Sequence, residues 1–230
     1  MHHDMRRPLD TDYGPWRALC ETIKAAMHLV PTQEEVVALL RRTGAIRDGH
    51  FEYPNGLHAT EYMQVQLAMR YYQHAKVLSV GLSRLLRANA EIRAMIPELS
   101  VVSPDTGGLP VAYGVCEALR AAQVYWADRR EERGPMLFRQ YLEQKPGEKV
   151  LLVDDILRSG RNLGELKRLV ESTGAEVVGM AVIIYQPTPK TVDFSPLPLY
   201  YLAKLNALYY KDAGSCEMCR RGVPAEKVWI

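Results

Sequence analysis

Three features of the chain predict an α/β fold with a mostly parallel sheet. Short apolar runs alternate with helical patterns between residues 99 and 185, the order that builds parallel strands joined by right-handed crossovers. The run at residues 149–153 is almost continuously apolar, as a strand buried on both faces requires. A length of 230 residues with 47% apolar side chains suits one sizeable core.

The N-terminal part of the chain is predicted to be largely helical. Thr32 and Glu35 have the spacing of a capping box, so a helix should begin after Thr32 and end near Gly44. Apolar residues then recur at helical spacing through residues 64–96. Residues 1–30 are interpreted as a helical extension without an assigned function.

The elements that follow alternate in type. Strands are predicted at residues 99–103, 123–127, 149–153 and 177–185, and helices at 109–121 and 162–173. Asn162 is the predicted N-cap of the second helix and Gly174 its stop. Residues 128–147 are charged and contain two glycine–proline pairs, so they are predicted to be mostly loop. Another apolar stretch follows at residues 199–205.

Bulk composition excludes several classes of partner. The formal net charge of +2 gives no sign of a nucleic-acid partner. No apolar run approaches the roughly 18 residues that a membrane span requires, and residues 1–4 lack the apolar core of a signal peptide. We therefore expect a cytoplasmic protein that binds neither nucleic acid nor membrane.

Residues 150–162, VLLVDDILRSGRN, place two acids at the end of a predicted buried strand. Ligands of open parallel sheets bind outside the carboxyl ends of the strands. Asp154 and Asp155 repel each other unless a polar or cationic group engages them, and the helix N-terminus that follows favours a phosphate. The stretch therefore suits a ribose phosphate, and a strand-to-helix turn with a solvated acid pair is the alternative.

This stretch resembles the phosphoribosyl pyrophosphate (PRPP) motif of the type I phosphoribosyltransferases. That motif is an apolar strand, two acids, two apolar residues, and a loop of small hydroxyl residues and glycine. The resemblance implies that Asp154 and Asp155 contact the ribose hydroxyls. It also implies that the 5′-phosphate is bound by the phosphate loop, which comprises Arg158, Ser159, Gly160, Arg161 and Asn162.

Two further segments resemble the orotate branch of that family. Residues 49–62, GHFEYPNGLHATEY, are similar to its base-binding segment, and the base-binding candidates there are Phe51, Asn55, His58 and Tyr62. Residues 102–110, VSPDTGGLP, resemble its pyrophosphate-binding loop, with Thr106, Gly107 and Gly108 as the PRPP-binding candidates. We call residues 49–62 the base segment and residues 105–108 the glycine loop.

The flexible catalytic loop and the C-terminal tail of the orotate branch also have counterparts. Residues 127–130, ADRR, match the start of the flexible loop, which implies a catalytic role for Arg129 and Arg130 beside the two acids. Residues 216–224, CEMCRRGVP, look like the tail of many bacterial members. Cys216 and Cys219 either bind a metal or are two small thiols in a turn, because a structural zinc site needs four ligands.

The resemblance implies the type I phosphoribosyltransferase fold. This is a mostly parallel twisted sheet flanked by helices, with a small hood built from N-terminal and C-terminal segments. Residues 1–98 would hold the helical extension, hood and base segment, residues 99–186 the core, and residues 187–230 the C-terminal hood strand and tail. The three parts would form one structural domain.

The activity implied is a transfer of 5-phosphoribosyl from PRPP to orotate, which gives orotidine 5′-phosphate and pyrophosphate. Mg²⁺ would be the cofactor, bound through PRPP and not by protein side chains. The flexible loop of this branch reaches into the neighbouring subunit's site, so a homodimer is implied.

Departures from the family pattern keep two alternatives open. No lysine lies between Lys76 and Lys145, although orotate enzymes often carry lysine in both loops. Arg158 stands where a small residue is usual, and Glu61 replaces an aromatic residue in the base segment. The alternatives are a phosphoribosyltransferase for another base, such as a purine, and a non-catalytic nucleotide-sensing protein of the same fold.

Overall fold

The elements of the molecule follow the predicted order. The computed structural model describes residues 30–131, 134–138, 145–188, 190–206 and 208–228. Its strands are β1 Ile46–Glu52, β2 His58–Met63, β3 Ser100–Pro104, β4 Gln123–Arg129, β5 Met136–Phe138, β6 Lys149–Leu157, β7 Glu176–Tyr185, β8 Leu199–Lys204, β9 Tyr209–Tyr210 and β10 Glu226–Lys227. Its α-helices are α1 Gln33–Arg42, α2 Gln66–Met69, α3 Tyr72–Ala88, α4 Ala90–Met95, α5 Gly108–Leu119, α6 Arg161–Ser172 and α7 Glu217–Arg220. The helical extension predicted for residues 1–30 lies outside the described residues, apart from Val30.

The core is a six-stranded sheet in the order β5-β4-β3-β6-β7-β8. Neighbouring strands are parallel except β5, which is antiparallel to β4. Successive strands move outward in one direction from β3 and in the other from β6, so the strand order reverses between these two neighbours. Ligands of open α/β sheets bind at such a switch point, which places the candidate site at the carboxyl ends of β3 and β6.

Strand β6 is buried on both faces, as its unalternating apolar sequence predicts. Val150 and Leu152 pack in the cluster that holds α6, whereas Leu151 and Val153 pack in the cluster that holds α1, α3 and α5. All four side chains have no solvent exposure. This burial fixes the direction in which β6 presents the residues at its carboxyl end.

A second, smaller sheet forms a hood in the order β10-β1-β2-β9. It combines a hairpin from the N-terminal part of the chain with two short strands from the C-terminal part, as the resemblance implied. By contrast, β8 pairs in parallel with β7 and belongs to the core sheet. The division of the chain at residues 98 and 186 stays a prediction.

The predicted start of one helix was confirmed and the predicted start of another was wrong. Thr32 and Glu35 form both hydrogen bonds of the capping box that begins α1. Asn162 is not the N-cap of α6: the helix begins after Gly160, whose φ of 77° allows the sharp turn out of β6. Residues 128–147 were predicted to be mostly loop, and their described part also contains the end of β4 and the three-residue strand β5 that pairs with it.

Within the described residues, none of the helices is both long and apolar enough to cross a bilayer.

Candidate functional site

Asp154 and Asp155 lie at the switch point, within the carboxyl-terminal part of β6. Their exposed fractions are only 7% and 9%. The backbone N–H of Asp155 donates to Asp154 Oδ1 over 2.8 Å, and the N–H of Ile156 donates to Asp155 Oδ1 over 2.7 Å. The strand itself therefore orients the two carboxyl groups, which we call the acid pair.

The acid pair is electrostatically unfavourable without a ligand. Burial, followed by the charge of Asp155, raises the pKa of Asp154 well above its usual value. Burial also raises the pKa of Asp155, although the Ile156 N–H and the nearby Arg158 cation oppose that rise. Hydroxyl donors or a cation at this position would favour the charged form of both groups.

The glycine loop packs directly against the acid pair. A Cβ atom at Gly107 would lie 3.2 Å from Asp155 Cγ and 2.5 Å from Gln66 Nε2. A Cβ atom at Gly108 would lie 2.9 Å from Asp154 Oδ1 and 3.1 Å from the Val153 carbonyl oxygen. The backbone atoms near Gly108 leave no room for a side chain at that position. Two of the predicted PRPP-binding residues therefore meet the predicted acids. The third, Thr106, is exposed at the rim of the loop.

Two helix N-termini begin at this edge of the sheet. Helix α5 begins at Gly108 and α6 at Arg161, and neither has an acidic residue in its first turn. The first N–H groups of a helix have no carbonyl partner one turn earlier, and they carry the positive end of the helix dipole. The edge therefore offers anion-binding groups on both sides of the acid pair.

The phosphate loop is held from behind by the segment after β7. Thr191 Oγ1 donates to the Arg158 carbonyl, and the Val192 N–H donates to the Ser159 carbonyl over 2.9 Å. The Arg161 N–H donates to Ser159 Oγ over 3.3 Å, and Asn162 is exposed on the first turn of α6. Because these carbonyls already accept hydrogen bonds, the loop would bind a ligand mainly through its N–H groups.

Replacing Gly160 by alanine is expected to disrupt this loop. The φ of 77° disfavours any side chain, and a Cβ atom would lie 2.9 Å from Phe194 Cε2. We expect a loss of about 2 kcal/mol in the free energy of unfolding and at least a tenfold rise in the KM for PRPP. Gly164→Ala is the matched control, because its Cβ would meet the same Phe194 ring at 3.8 Å, an ordinary contact. Equal kinetics for the two variants would contradict the assignment of the loop.

Arg158 points from the phosphate loop toward the hood. Its Nε donates to Gln186 Oε1 over 2.8 Å, and its Nη2 donates to the Met63 carbonyl over 3.3 Å. The guanidinium carbon lies 5.9 Å from the centroid of the Tyr53 ring. Arg158 therefore joins the phosphate loop to the base segment, and the predicted contact with the 5′-phosphate stays a prediction.

Arg129 is engaged by the core, whereas Arg130 is exposed. Arg129 donates from Nη1 to the Gly134 carbonyl over 2.6 Å and forms an ion pair with Glu165 of α6. Burial would raise the pKa of Glu165, but its hydrogen bonds with Arg129 and Arg161 lower it below the usual value. The predicted catalytic loop thus begins at a charged anchor on α6.

The four base-binding candidates lie in different environments. Phe51 and Tyr62 are buried side by side in the hood, with ring centroids 5.6 Å apart. Asn55 is exposed in the turn between β1 and β2, where its Oδ1 accepts from the Leu57 N–H. His58 is buried, and its Nδ1 lies 2.8 Å from His50 Nε2. The structure brings the two aromatic residues together in the hood core, whereas Asn55 is exposed in the turn.

Three residues at the site were missed by the sequence analysis. Gln66 abuts the glycine loop, and its buried Oε1 has no hydrogen-bond partner among the described residues. Gln186 is 1% exposed and accepts from Arg158 and from the Tyr209 hydroxyl. Burial raises the pKa of Tyr53 to about 12, which keeps its hydroxyl neutral near Arg158. Gln186 could have been found as the first polar residue after a buried strand, whereas the sequence carries no comparable signal for Gln66.

Comparison with known sequences gives consistent matches. A family model described as a phosphoribosyl transferase domain matches residues 82–195. The chain is 34% identical over 189 residues to an orotate phosphoribosyltransferase of Thermotoga maritima, which covers 82% of this chain and 94% of that protein. It is 35% identical over 183 residues to one of Carboxydothermus hydrogenoformans, covering 80% and 90%.

Comparison with solved structures supports the fold. An orotate phosphoribosyltransferase of Aeropyrum pernix superposes with a TM-score of 0.60 at 18% identity, covering 74% of this chain and 93% of that one. An adenine phosphoribosyltransferase of Thermoanaerobacter pseudethanolicus superposes with a TM-score of 0.51 at 13% identity, covering 63% and 88%. Because proteins named for different bases share the architecture, the fold alone does not identify a base.

Proposed function

Because this chain belongs to the phosphoribosyltransferase family, in its orotate branch, we propose that it transfers 5-phosphoribosyl from PRPP to orotate. The products are orotidine 5′-phosphate and pyrophosphate. One observation carries the proposal: the glycine loop, through Gly107 and Gly108, packs against the acid pair at the switch point of the sheet. Two helix N-termini begin at the same place. The acid pair can accept hydrogen bonds from sugar hydroxyls, and the two helix N-termini can each bind an anionic group. Together they suit a sugar that carries both a phosphate and a pyrophosphate.

The chemistry follows from where charge develops. A nitrogen of the base forms a bond to the anomeric carbon of PRPP as the bond to pyrophosphate breaks, and pyrophosphate leaves with the electron pair. The glycine loop and the start of α5 face the leaving group and stabilise its charge. The acid pair accepts hydrogen bonds from the ribose hydroxyls and holds the anomeric carbon in place. The phosphate loop anchors the 5′-phosphate.

We include Mg²⁺, bound through PRPP, in the proposal. The buried carboxylates of Asp154 and Asp155 would place negative charge beside the ion without ligating it, and the hard oxygens of PRPP would be its ligands. The ion supplies charge neutralisation on the pyrophosphate when it is bound. Burial raises the pKa values of both acids, and a cation nearby would oppose that rise by favouring their charged forms.

The orotate assignment is supported by the charges that face the base segment. Arg158 places a cation beside Tyr53 and the end of β2, which suits a base that carries a carboxylate. Glu61 would repel such a base if it faced inward, but it forms an ion pair with Arg41. The arrangement therefore favours an acidic base over a neutral purine.

A panel of bases tests this function directly. Protein would be mixed with PRPP, Mg²⁺ and either orotate, adenine, guanine, hypoxanthine or uracil, and pyrophosphate release followed. We expect release with orotate alone. Release with a purine alone would identify the second candidate, a purine phosphoribosyltransferase. Saturable nucleotide binding without release would identify the non-catalytic alternative, which the absence of lysine from residues 77–144 motivates.

We propose that the active form is a homodimer. Tyr72 and Val77 of α3 and Tyr113 of α5 are 74%, 47% and 50% exposed, and these two helices pack against each other. Exposed aromatic and aliphatic groups on adjacent helices are typical of subunit contacts. Light scattering after size exclusion should give twice the 26.0 kDa chain mass, and Tyr72→Asp should reduce it.

A further inference from the structure

Four metal-binding side chains converge in the hood, outside the site described above. They are His50, His58, Cys216 and Cys219, and one ligand atom from each lies within 4.8 Å of those of the others. His50 and His58 come from the β1–β2 hairpin, whereas the two cysteines begin and line α7. Side chains 158 or more residues apart in sequence therefore meet at one point. We propose that this cluster is a structural Zn²⁺ site.

The distances between the ligand atoms fit a tetrahedral ion. Cys216 Sγ lies 3.4 Å from His50 Nε2, and Cys219 Sγ lies 3.6 Å from His50 Nε2 and 3.4 Å from His58 Nδ1. Zinc bonds of about 2.3 Å to sulfur and about 2.0 Å to nitrogen give a sulfur–nitrogen edge of roughly 3.5 Å in a tetrahedron. The two ring nitrogens, 2.8 Å apart, need to separate by only about 0.5 Å to reach the corresponding nitrogen–nitrogen edge.

The hairpin directs both rings to the same place. Phe51 and Ala59 are cross-strand neighbours whose side chains pack in the hood core. His58 precedes Ala59, so alternation turns its ring to the opposite face. His50 lies where the β1–β2 register shifts between Asp48 and Phe51, and its ring meets the His58 ring there. The cysteines, three residues apart around one helical turn, approach that face from the C-terminal segment. Strand pleating and helical spacing together explain why four ligands converge.

A hydrogen bond outside the cluster fixes the binding nitrogen of His50. The carbonyl of Val223 lies 2.8 Å from His50 Nδ1 and accepts only if that nitrogen carries the proton. The lone pair then resides on Nε2, which faces His58 and both cysteines. Metal-binding histidines usually donate their other ring N–H to a carbonyl or carboxylate in this way. The acceptor belongs to the turn that follows the two cysteines, so the same segment provides ligands and orients a third.

The ligand set favours Zn²⁺ and a structural role. Two thiolates and two imidazoles complete a four-coordinate shell, which leaves no position for a substrate or a reactive water. His50, His58 and Cys216 are 5%, 5% and 0% exposed and Cys219 is partly buried, so three of the four ligands would shield the ion from solvent. Softer sulfur ligands disfavour Mg²⁺, which separates this site from the cation proposed for PRPP.

The ion would link the C-terminal tail to the base segment. Strand β10 is short and pairs with β1 at Glu226 and Lys227, and the buried apolar cluster of the hood is Phe51, Tyr53, Ala59, Tyr62 and Val228. So small a core gains from a metal crosslink. His50 and His58 flank the turn that contains Asn55, so the ion would also fix both ends of that turn.

Metal analysis of the full-length protein tests the site. We expect about one zinc ion per chain by mass spectrometry of the purified protein, and near-complete loss in Cys216→Ser and Cys219→Ser. Cys116→Ser is the matched control, because Cys116 lies in α5 and packs in the core instead of the hood. This control also retains His2 and His3, so metal bound by the N-terminus would persist in every variant. Zinc that persists undiminished in both tail variants would overturn the proposal.

Cobalt substitution gives a readout that does not require the variants to fold. Co²⁺ in this site should produce thiolate charge-transfer absorption and the intense visible bands of a tetrahedral ion. Zinc should displace it at one equivalent. Removal of zinc with a chelator should lower the melting temperature, and added zinc should restore it. Substoichiometric zinc together with no cobalt spectrum would instead establish a metal-free hydrogen-bonded cluster.

Discussion

Asp155→Asn is expected to lower kcat/KM for PRPP by about 10- to 150-fold while leaving the fold intact. The amide keeps an oxygen that accepts from the Ile156 N–H, so the local backbone is preserved. It loses the charge that strengthens hydrogen bonds from the ribose hydroxyls, and a charge-assisted bond contributes roughly 1.5 to 3 kcal/mol. Steady-state kinetics with PRPP varied at saturating orotate measure this loss.

The same change is expected to stabilise the ligand-free protein at neutral pH. The pKa values of Asp154 and Asp155 are raised in the fold, so the unfolded chain releases its protons at lower pH than the folded chain does. The free energy of unfolding therefore falls as pH rises above about 4, the ordinary aspartate value. Removing one carboxylate relieves both burial and repulsion, and we expect a gain of about 1 to 3 kcal/mol near pH 7.

Urea unfolding at two pH values distinguishes this effect from a general change in packing. The difference between Asp155→Asn and the parent should be large near pH 7 and small near pH 4. Glu171→Gln is a suitable control, because Glu171 is an exposed partner of Lys167 and its loss should change stability by less than about 0.5 kcal/mol. An asparagine variant that is less stable at pH 7, or that uses PRPP normally, would contradict the assignment of the acid pair.

The sequence predicted the core of the site because its signals are local. The pattern is an apolar run that ends in two acids and is followed by a glycine and a helix, and it can be recognised from the sequence alone. Asp154 and Asp155 lie where that pattern indicated. The glycine loop was also predicted by local resemblance. The contact of the glycine loop with Asp154 was not predicted, because it requires β3 to pair with β6. That pairing depends on the order of strands across the whole sheet.

Other parts of the molecule depend on long-range packing that no local pattern encodes. The predicted N-cap Asn162 was wrong because Gly160 turns the chain earlier, under Phe194 from a distant segment. Strand β5 was missed because three residues form a strand only when β4 is beside them. His58 was predicted as a base-binding residue, yet its neighbours include Cys219. A two-cysteine motif could not reveal its histidine partners, because pairing of the hood strands brings them together.

Arg158→Gln is expected to raise the KM for orotate by about 10- to 100-fold and to change the KM for PRPP by less than about threefold. The guanidinium is turned toward Gln186, Met63 and Tyr53, on the side of the base segment. A carboxylate that loses a charge-assisted partner there forfeits roughly 1.5 to 3 kcal/mol. Glutamine keeps a hydrogen-bonding group of similar reach, so the variant removes charge more than shape.

Arg161→Gln provides the contrasting variant, because Arg161 begins α6 and its side chain is 69% exposed at the phosphate loop. We expect this change to raise the KM for PRPP and to leave the KM for orotate near that of the parent. If Arg158→Gln instead raises the KM for PRPP, the arginine contacts the 5′-phosphate, as its place in the motif first suggested. If the variant gains activity, Arg158 obstructs the phosphate pocket. The three outcomes change different kinetic constants. One pair of variants therefore decides whether Arg158 binds the base, binds the 5′-phosphate or obstructs the phosphate pocket.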